Sequence, residues 1–354
     1  MVKLTIIDIA NLSGVSKSTV SRVINNDKHV SEETRKKVLD ITKKMGYLPD
    51  NIARSLITKK TFTIGLIIPD IMNPFYSETS KIIEDTLRRH GYSLIICNTN
   101  NQSILQNKYL NILIQRRVDG IIFGSVKTND TKIIKFAEQG LPYITYHRSL
   151  SNKNSNFVMS DDIEGIRIAV NHLTDLGHRD IAYISGPTSF STALNRLKGF
   201  IESRDSFNLN NDSNFIQEGG FSESKSWKAT KKLLNLTNPP TAIIAANDLM
   251  AISALDCILQ HGLSVPGDIS LIGYDNINLA SHARIQLTTV SVAKKKMAKL
   301  SAELLVKKIM DKKDDSTTIQ VKLKPKLIFR KTTGEVNKKS NKINQQMKTE
   351  GPLY

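Results

Sequence analysis

Short apolar runs separated by helix-length segments constrain the fold of this chain more than any other feature. They read IGLII at 64–68, SLIIC at 93–97, DGIIF at 119–123, DIAYIS at 180–185, TAIIAA at 241–246 and ISLIGY at 269–274. Gly91, Gly140, Gly177 and Gly262 stop the helices between them. This is the pattern of βαβ units, in which helices cover both faces of a parallel sheet. The units suffice for two doubly wound α/β sheets, hence two lobes and a cleft. LKPKLIFR at 323–330 is read as a final strand. From Lys331 the chain is rich in Lys, Asn, Gln and Ser with little to bury, which predicts a flexible tail over 331–354.

Ahead of that core the pattern differs. Residues 5–45 read as three short helices. Thr5-Ile6-Ile7-Asp8 fits a capping box, and Ile6, Ile9 and Ala10 share one face. Gly14 interrupts, Ser16 caps a second helix with Val20, Val23 and Ile24 inward, and Ser31 caps a third. The third helix has Glu32 and Glu33 in its first turn and Lys43 and Lys44 in its last, both suited to the helix dipole. The predicted organisation is a head at 1–49, a hinge helix and linker at 50–62, a two-lobed core at 63–330 and the tail.

Charge points to the head. The chain has 50 Lys+Arg and 33 Asp+Glu, net +17, which favours an anionic partner such as nucleic acid or a membrane surface. Residues 1–60 hold 12 basic and 6 acidic side chains, net +6, whereas residues 61–330 hold 33 and 25, net +8 over 270 positions. No apolar stretch is long enough to span a membrane. MVKLTIIDIA meets Asp8 before a signal-peptide core can form, so a cytoplasmic protein is expected. Cys97 and Cys257 lie far apart, in no metal-ligand or redox spacing. No P-loop, G-x-S-x-G or HExxH motif occurs and the seven His are scattered, so no catalytic residue, metal or cofactor is expected.

A helix–turn–helix needs a tight turn that sets its second helix at a steep angle, free to enter the major groove. Ile9, Ala10, Val15, Val20 and Val23 are placed to pin that angle. Lys17, Ser18, Ser21, Arg22 and Asn25 then face outward; Arg22 suits a bidentate guanine contact, while Ser16, Thr19, Ser21 and Asn25 suit phosphates. A plain amphipathic bundle accounts for the geometry equally well.

The residues themselves go further. TIIDIANLSGVSKSTVSRVINN closely resembles the head of the lactose/galactose-repressor family, and NIARSL resembles its hinge helix. IIPDIMNPFY, RRVDGIIF, HRDIAYISGP, NRLKGF, AANDLMA and SLIGYDN resemble its ligand-binding core, so the similarity covers residues 3–330. It implies a periplasmic-binding-protein-like core and base reading by Lys17, Ser18 and Arg22. It also implies a Leu56 wedge in the minor groove and a homodimer on a palindromic operator in double-stranded DNA. The implied function is a ligand-responsive repressor with a sugar or sugar-phosphate effector. A non-sugar corepressor, or a sugar receptor without DNA function, are the alternatives.

Sheets of this kind bind ligands beyond the carboxyl ends of their strands. The polar residues there are Asp70, Asn73, His147, Arg148, Asp161, Asn247, Asp248 and Asp275. Carboxylates, Asn and Arg pair with vicinal hydroxyls while an aromatic ring packs on a sugar's C–H face. The resemblance places effector contacts on Phe75, Asp161, Arg196, Phe221, Asn247 and Asp275. Asp248 is read as a helix cap. His147 stands where the family usually has Asp. Arg148 either meets a phosphate or carboxylate of the effector or forms a structural salt bridge.

Overall fold

The structure, a computed structural model, describes residues 4–24, 27–47, 60–138, 140–311 and 318–336. The chain divides into two compact units between Thr61 and Phe62. Among the described residues no helix is long and apolar enough to cross a membrane.

The first unit is three helices: α1 (Ile6–Ser13), α2 (Lys17–Ile24) and α3 (Glu32–Lys44). The capping box is formed: the Thr5 N–H donates to Asp8 Oδ2 at 2.7 Å and the Asp8 N–H to Thr5 Oγ1 at 3.4 Å. Gly14 ends α1 at φ +64°, a left-handed turn that a Cβ would strain. Ser16 Oγ accepts from the Thr19 N–H and Ser31 Oγ from the Thr34 N–H, so each cap satisfies a donor that the helix leaves orphaned. Ile9, Val20 and Val38 are fully buried, with Ala10, Val23 and Tyr47 around them. A fully buried side chain of this size contributes roughly 1.5–3 kcal/mol, enough to hold helices too short to stand alone in water.

The second unit has two six-stranded sheets. The first comprises β1 (Thr63–Ile68), β2 (Ser93–Asn98), β3 (Gly120–Phe123), β4 (Tyr143–Tyr146), β5 (Phe157–Ser160) and β11 (Gln320–Leu323), in the order β11-β5-β4-β3-β1-β2. The second comprises β6 (Ile181–Ser185), β7 (Ile216–Glu218), β8 (Ala242–Ala245), β9 (Ser270–Tyr274), β10 (Thr288–Ser291) and β12 (Lys326–Ile328), in the order β12-β10-β9-β8-β6-β7. Every pairing is parallel except β10 with β12. Central strands β3, β4, β6, β8 and β9 are buried at every residue, as helices on both faces require.

The helices are α4 (Pro74–Arg89), α5 (Ser103–Gln115), α6 (Thr131–Ala137), α7 (Asp162–Asp175), α8 (Ser191–Ser206), α9 (Glu223–Leu234), α10 (Asp248–Gln260) and α11 (Lys294–Met310). Helix α11 follows the second sheet in sequence but packs on α4 and on β3, β4 and β5 of the first. The chain therefore changes lobe three times: after β5, between β10 and α11, and between β11 and β12.

Two expectations need correcting. The final strand is not continuous over 323–330. Residues 320–323 close the first sheet and 326–328 pair antiparallel in the second, because the connection leaves one lobe for the other at Lys324-Pro325. Nor does the core end at Arg330. Thr332 is buried, donates to the Leu271 carbonyl at 2.7 Å and accepts from the Thr288 N–H, and the Val336 N–H reaches the Leu176 carbonyl. Residues 337–354 of the expected tail lie outside the described residues, as does most of the expected hinge.

Candidate functional site

The cleft is lined from both sheets by residues just past their strands. Its fixed point is Arg196 on α8, 1% exposed and the largest fully buried side chain among the described residues. Its Nε donates to Asp162 Oδ1 at 2.9 Å, its Nη1 to the Ala246 carbonyl at 2.5 Å and its Nη2 to Asp275 Oδ1 at 3.1 Å. The guanidinium also lies 3.8 Å from the centre of the Tyr274 ring. Burial opposes its charge, yet Asp162 and Asp275 outweigh burial and hold it fully cationic. Burial pushes Asp275 up to about 6, with Arg196 pulling the other way. Removing one partner of such a network leaves an uncompensated buried charge.

The opposite wall is less complete. At the end of β4, His147 takes φ +65°, a strained conformation for a non-glycine residue. It packs 4.2 Å from the Phe75 ring. Burial, then Arg196 and Arg148, lower its pKa well below the usual histidine range, so the imidazole is neutral. Its Nδ1 is buried without a hydrogen-bond partner among the described residues. Arg148 follows, 3% exposed, its guanidinium 3.8 Å from the centre of the Phe190 ring and 5.8 Å from that of Phe221. Phe221 and Asp275 also have positive φ, +55° and +101°. Gly186 admits Phe221 into the cleft, since a Cβ there would meet its ring at 2.5 Å. Strained backbone gathered at one cavity marks a site built for something other than stability.

The lobes touch across the cleft. The Thr128 N–H donates to the Ser189 carbonyl at 2.9 Å and the Ser149 N–H to Ser191 Oγ at 2.8 Å. Lys294 Nζ, at the start of α11 on the first lobe, donates to the Asn276 carbonyl at 2.5 Å, and its ion-pair partner Glu78 on α4 accepts from the Asn278 N–H. The space left between the walls is about 60 Å³, room for roughly two waters. A larger ligand requires the lobes to part or Arg148 to move.

Of the residues expected at the effector site, Phe75, Arg148, Arg196, Phe221, Asn247 and Asp275 line the cleft, with Asp70, Asn73 and His147. Asp161 is outside that lining. It caps α7, accepting from the Glu164 N–H at 3.2 Å, while its neighbour Asp162 turns inward to Arg196. Asn247 caps α10, accepting from the Met250 N–H at 2.8 Å. Asp248, expected as the cap, is instead the first helical residue. Its two oxygens accept from the Ile277 N–H and the Thr289 hydroxyl, and burial, aided by Asp275, raises it to about 8. Asn101, Phe190 and Thr192 were not anticipated; they lie in turns and at a helix start, with no strand run to flag them.

In the head, Lys17, Ser18 and Arg22 are exposed on α2 opposite Val20 and Val23, and Thr19 and Ser21 are half-buried. Ser16 is exposed, and its hydroxyl bonds Ser18 and Thr19, so it serves the cap first. Asn25 and Leu56 lie outside the described residues. Among the described residues no group of His, Cys, Asp or Glu is placed to hold a metal ion.

Residues 5–50 match the family described as bacterial regulatory proteins, lacI family, and residues 170–333 match the periplasmic binding protein-like domain. The HTH-type transcriptional repressor PurR of Mannheimia succiniciproducens is 33% identical over 94% of this chain and 99% of its own length. The chain belongs to the lacI family of bacterial regulatory proteins. Among solved structures, this lacI-family chain is similar to the lac repressor dimer bound to operator and the anti-inducer ONPF. The TM-score is 0.83 at 29% identity, covering 94% of this chain and 99% of that one. It is also similar to the complex of the transcriptional regulator CelR with cellobiose, with TM-score 0.71, 28% identity and coverage of 93% and 99%. As a lacI-family protein the chain is a DNA-binding transcriptional regulator answering to a small molecule.

Proposed function

We propose that this regulator is a repressor that binds a palindromic operator as a homodimer, in the cytoplasm, and that a sugar or sugar phosphate in its cleft controls that binding. One observation carries the effector half: a two-walled cleft in which Arg196, Asp162 and Asp275 form a fixed polar network facing aromatic rings at Phe75 and Phe221. Charged groups held at fixed angles recognise vicinal hydroxyls, and rings take the sugar's C–H face. The cellobiose named with CelR supports a sugar. The lac repressor dimer on its operator supports the DNA half and the paired state.

Lys17, Ser18 and Arg22 read bases, Ser16, Thr19, Ser21 and Asn25 hold phosphates, and Leu56 opens the central step. A dimer reads two half-sites about one helical turn apart. The effector acts through its different affinity for two arrangements of the lobes, and by linkage the operator alters effector affinity by the same factor. The test begins by selecting a preferred sequence from random duplexes with the full chain. Arg22→Ala is expected to weaken binding to that sequence by about 1–3 kcal/mol; unchanged affinity refutes the assigned face. A sugar that raises the melting temperature and shifts operator affinity identifies the effector. If only non-sugar compounds do so, the corepressor alternative replaces it.

A further inference from the structure

Two arginines are buried in the cleft and only one is balanced. Arg196 has two carboxylates; Arg148 makes no ion pair among the described residues. Its Nη1 reaches Asn101 Oδ1 at 3.3 Å, and its Nε is buried without a partner. Of the two carboxylates in the lining, Asp275 pairs with Arg196, and Asp70 accepts from the Met72 N–H at 2.9 Å and forms no ion pair with Arg148. A buried, unpaired cation is costly, and stacking on Phe190 offsets only part of that cost.

The opposite wall has a complementary deficiency. Phe190 is the residue preceding the sixteen-residue helix α8, so that helix starts with no side-chain cap. Its amino end presents unsatisfied N–H groups and the positive end of the dipole. The Ser191 hydroxyl is occupied by the Ser149 N–H. Thr192, 1% exposed and part of the cleft lining, has a hydroxyl with no partner. An orphaned guanidinium nitrogen, an uncapped helix and an orphaned hydroxyl share one need: a compact, negatively charged acceptor.

We infer that the cleft contains an anion subsite, in which a phosphate or carboxylate group of the effector lies between the Arg148 guanidinium and the amino end of α8, with the Thr192 hydroxyl donating to it. The inference rests on the cleft being the effector site and narrows the effector to an acidic one, a sugar phosphate or a sugar acid. Arg148 belongs to the first lobe and Thr192 to the second. The anion therefore ties the lobes together through charge-assisted hydrogen bonds.

Thermal melts of the full chain with inorganic phosphate and with acetate, against chloride at matched ionic strength, test this. Phosphate, acetate or both should raise the melting temperature saturably, and Arg148→Gln should weaken that response ~10-fold. Which anion acts separates phosphate from carboxylate. Thr192→Val guards against misfolding of the first variant: it should weaken the anion response yet raise the unliganded melting temperature, because it removes an unsatisfied buried hydroxyl. The head is the same in every variant, so a response arising there is equal in all. No response in the parent chain, or equal responses in all three, overturns the subsite. A second arm compares glucose with glucose 6-phosphate and with glucuronate. Preference for an acidic form, lost in Arg148→Gln, supports the subsite; equal binding of glucose and both acidic forms refutes it and leaves a sugar cleft standing. A response to inorganic phosphate with no response to any sugar form upholds the subsite and removes the sugar.

Discussion

The two walls of the cleft follow different rules. On the second lobe, Arg196 is saturated: every donor nitrogen of its guanidinium has an acceptor, two of them carboxylates. On the first, His147 and Arg148 are buried with polar atoms unmet. A satisfied network fixes geometry before anything binds, whereas an unsatisfied one stores affinity for whatever completes it. The Arg196 guanidinium is a template; Arg148 and His147, with the Thr192 hydroxyl across from them, are a demand.

The contrast is sharpest when each arginine is removed. Arg196→Ala strands Asp162 and Asp275 and should cost about 3–5 kcal/mol in denaturant unfolding; a loss under 1 kcal/mol would mean the network holds little. The pH dependence of Asp248, behind the same wall, comes next. Its folded pKa of about 8 lies above the ordinary 3.8, so the folded state keeps a proton that the unfolded chain loses. Its contribution to stability is largest in acid and falls as pH rises towards 8. Asp248→Asn should flatten the profile most visibly between pH 6 and 8, above the range in which Asp275, at about 6, adds the same trend. Parallel profiles for parent and variant would show that Asp248 does not titrate there. Gly186→Ala, which must displace Phe221, should cost about 1–3 kcal/mol and weaken effector binding. The smallest effect, opposite in sign, belongs to the incomplete wall. Arg148→Gln should leave unliganded stability equal or raised by up to about 1 kcal/mol. A large loss would show that Arg148 has a structural partner after all.

How far the sequence revealed this depends on length scale. The apolar runs located the central strands because a strand buried on both faces leaves no polar residue to blur it. The edge strands were harder: β7 and β12 have three residues each, half-exposed, with no run to see. The caps at Thr5, Ser16 and Ser31 were legible because a cap is a local contract between residues three apart. Asp161 and Asp162 show the limit. Both are aspartates at a helix start, and which one faces the cleft is set by how α7 leaves β5, not by either residue. Arg196 stood out in a matched segment, but that its partner is Asp162, 34 positions away, is a fact of packing. The unmet atoms of Arg148 and Thr192 are visible only when every neighbour is known.

The threefold passage of the chain between lobes has a consequence for biosynthesis. Neither lobe is a contiguous stretch: the first lacks its packing helix α11 and its edge strand β11 until nearly the whole chain has been made. While a ribosome extends the polypeptide, β5 must wait with an open edge as the entire second lobe emerges. The head, whose three helices are adjacent in sequence, can form early. This protein is therefore expected to acquire its operator-reading surface long before it acquires the means to be told when to use it.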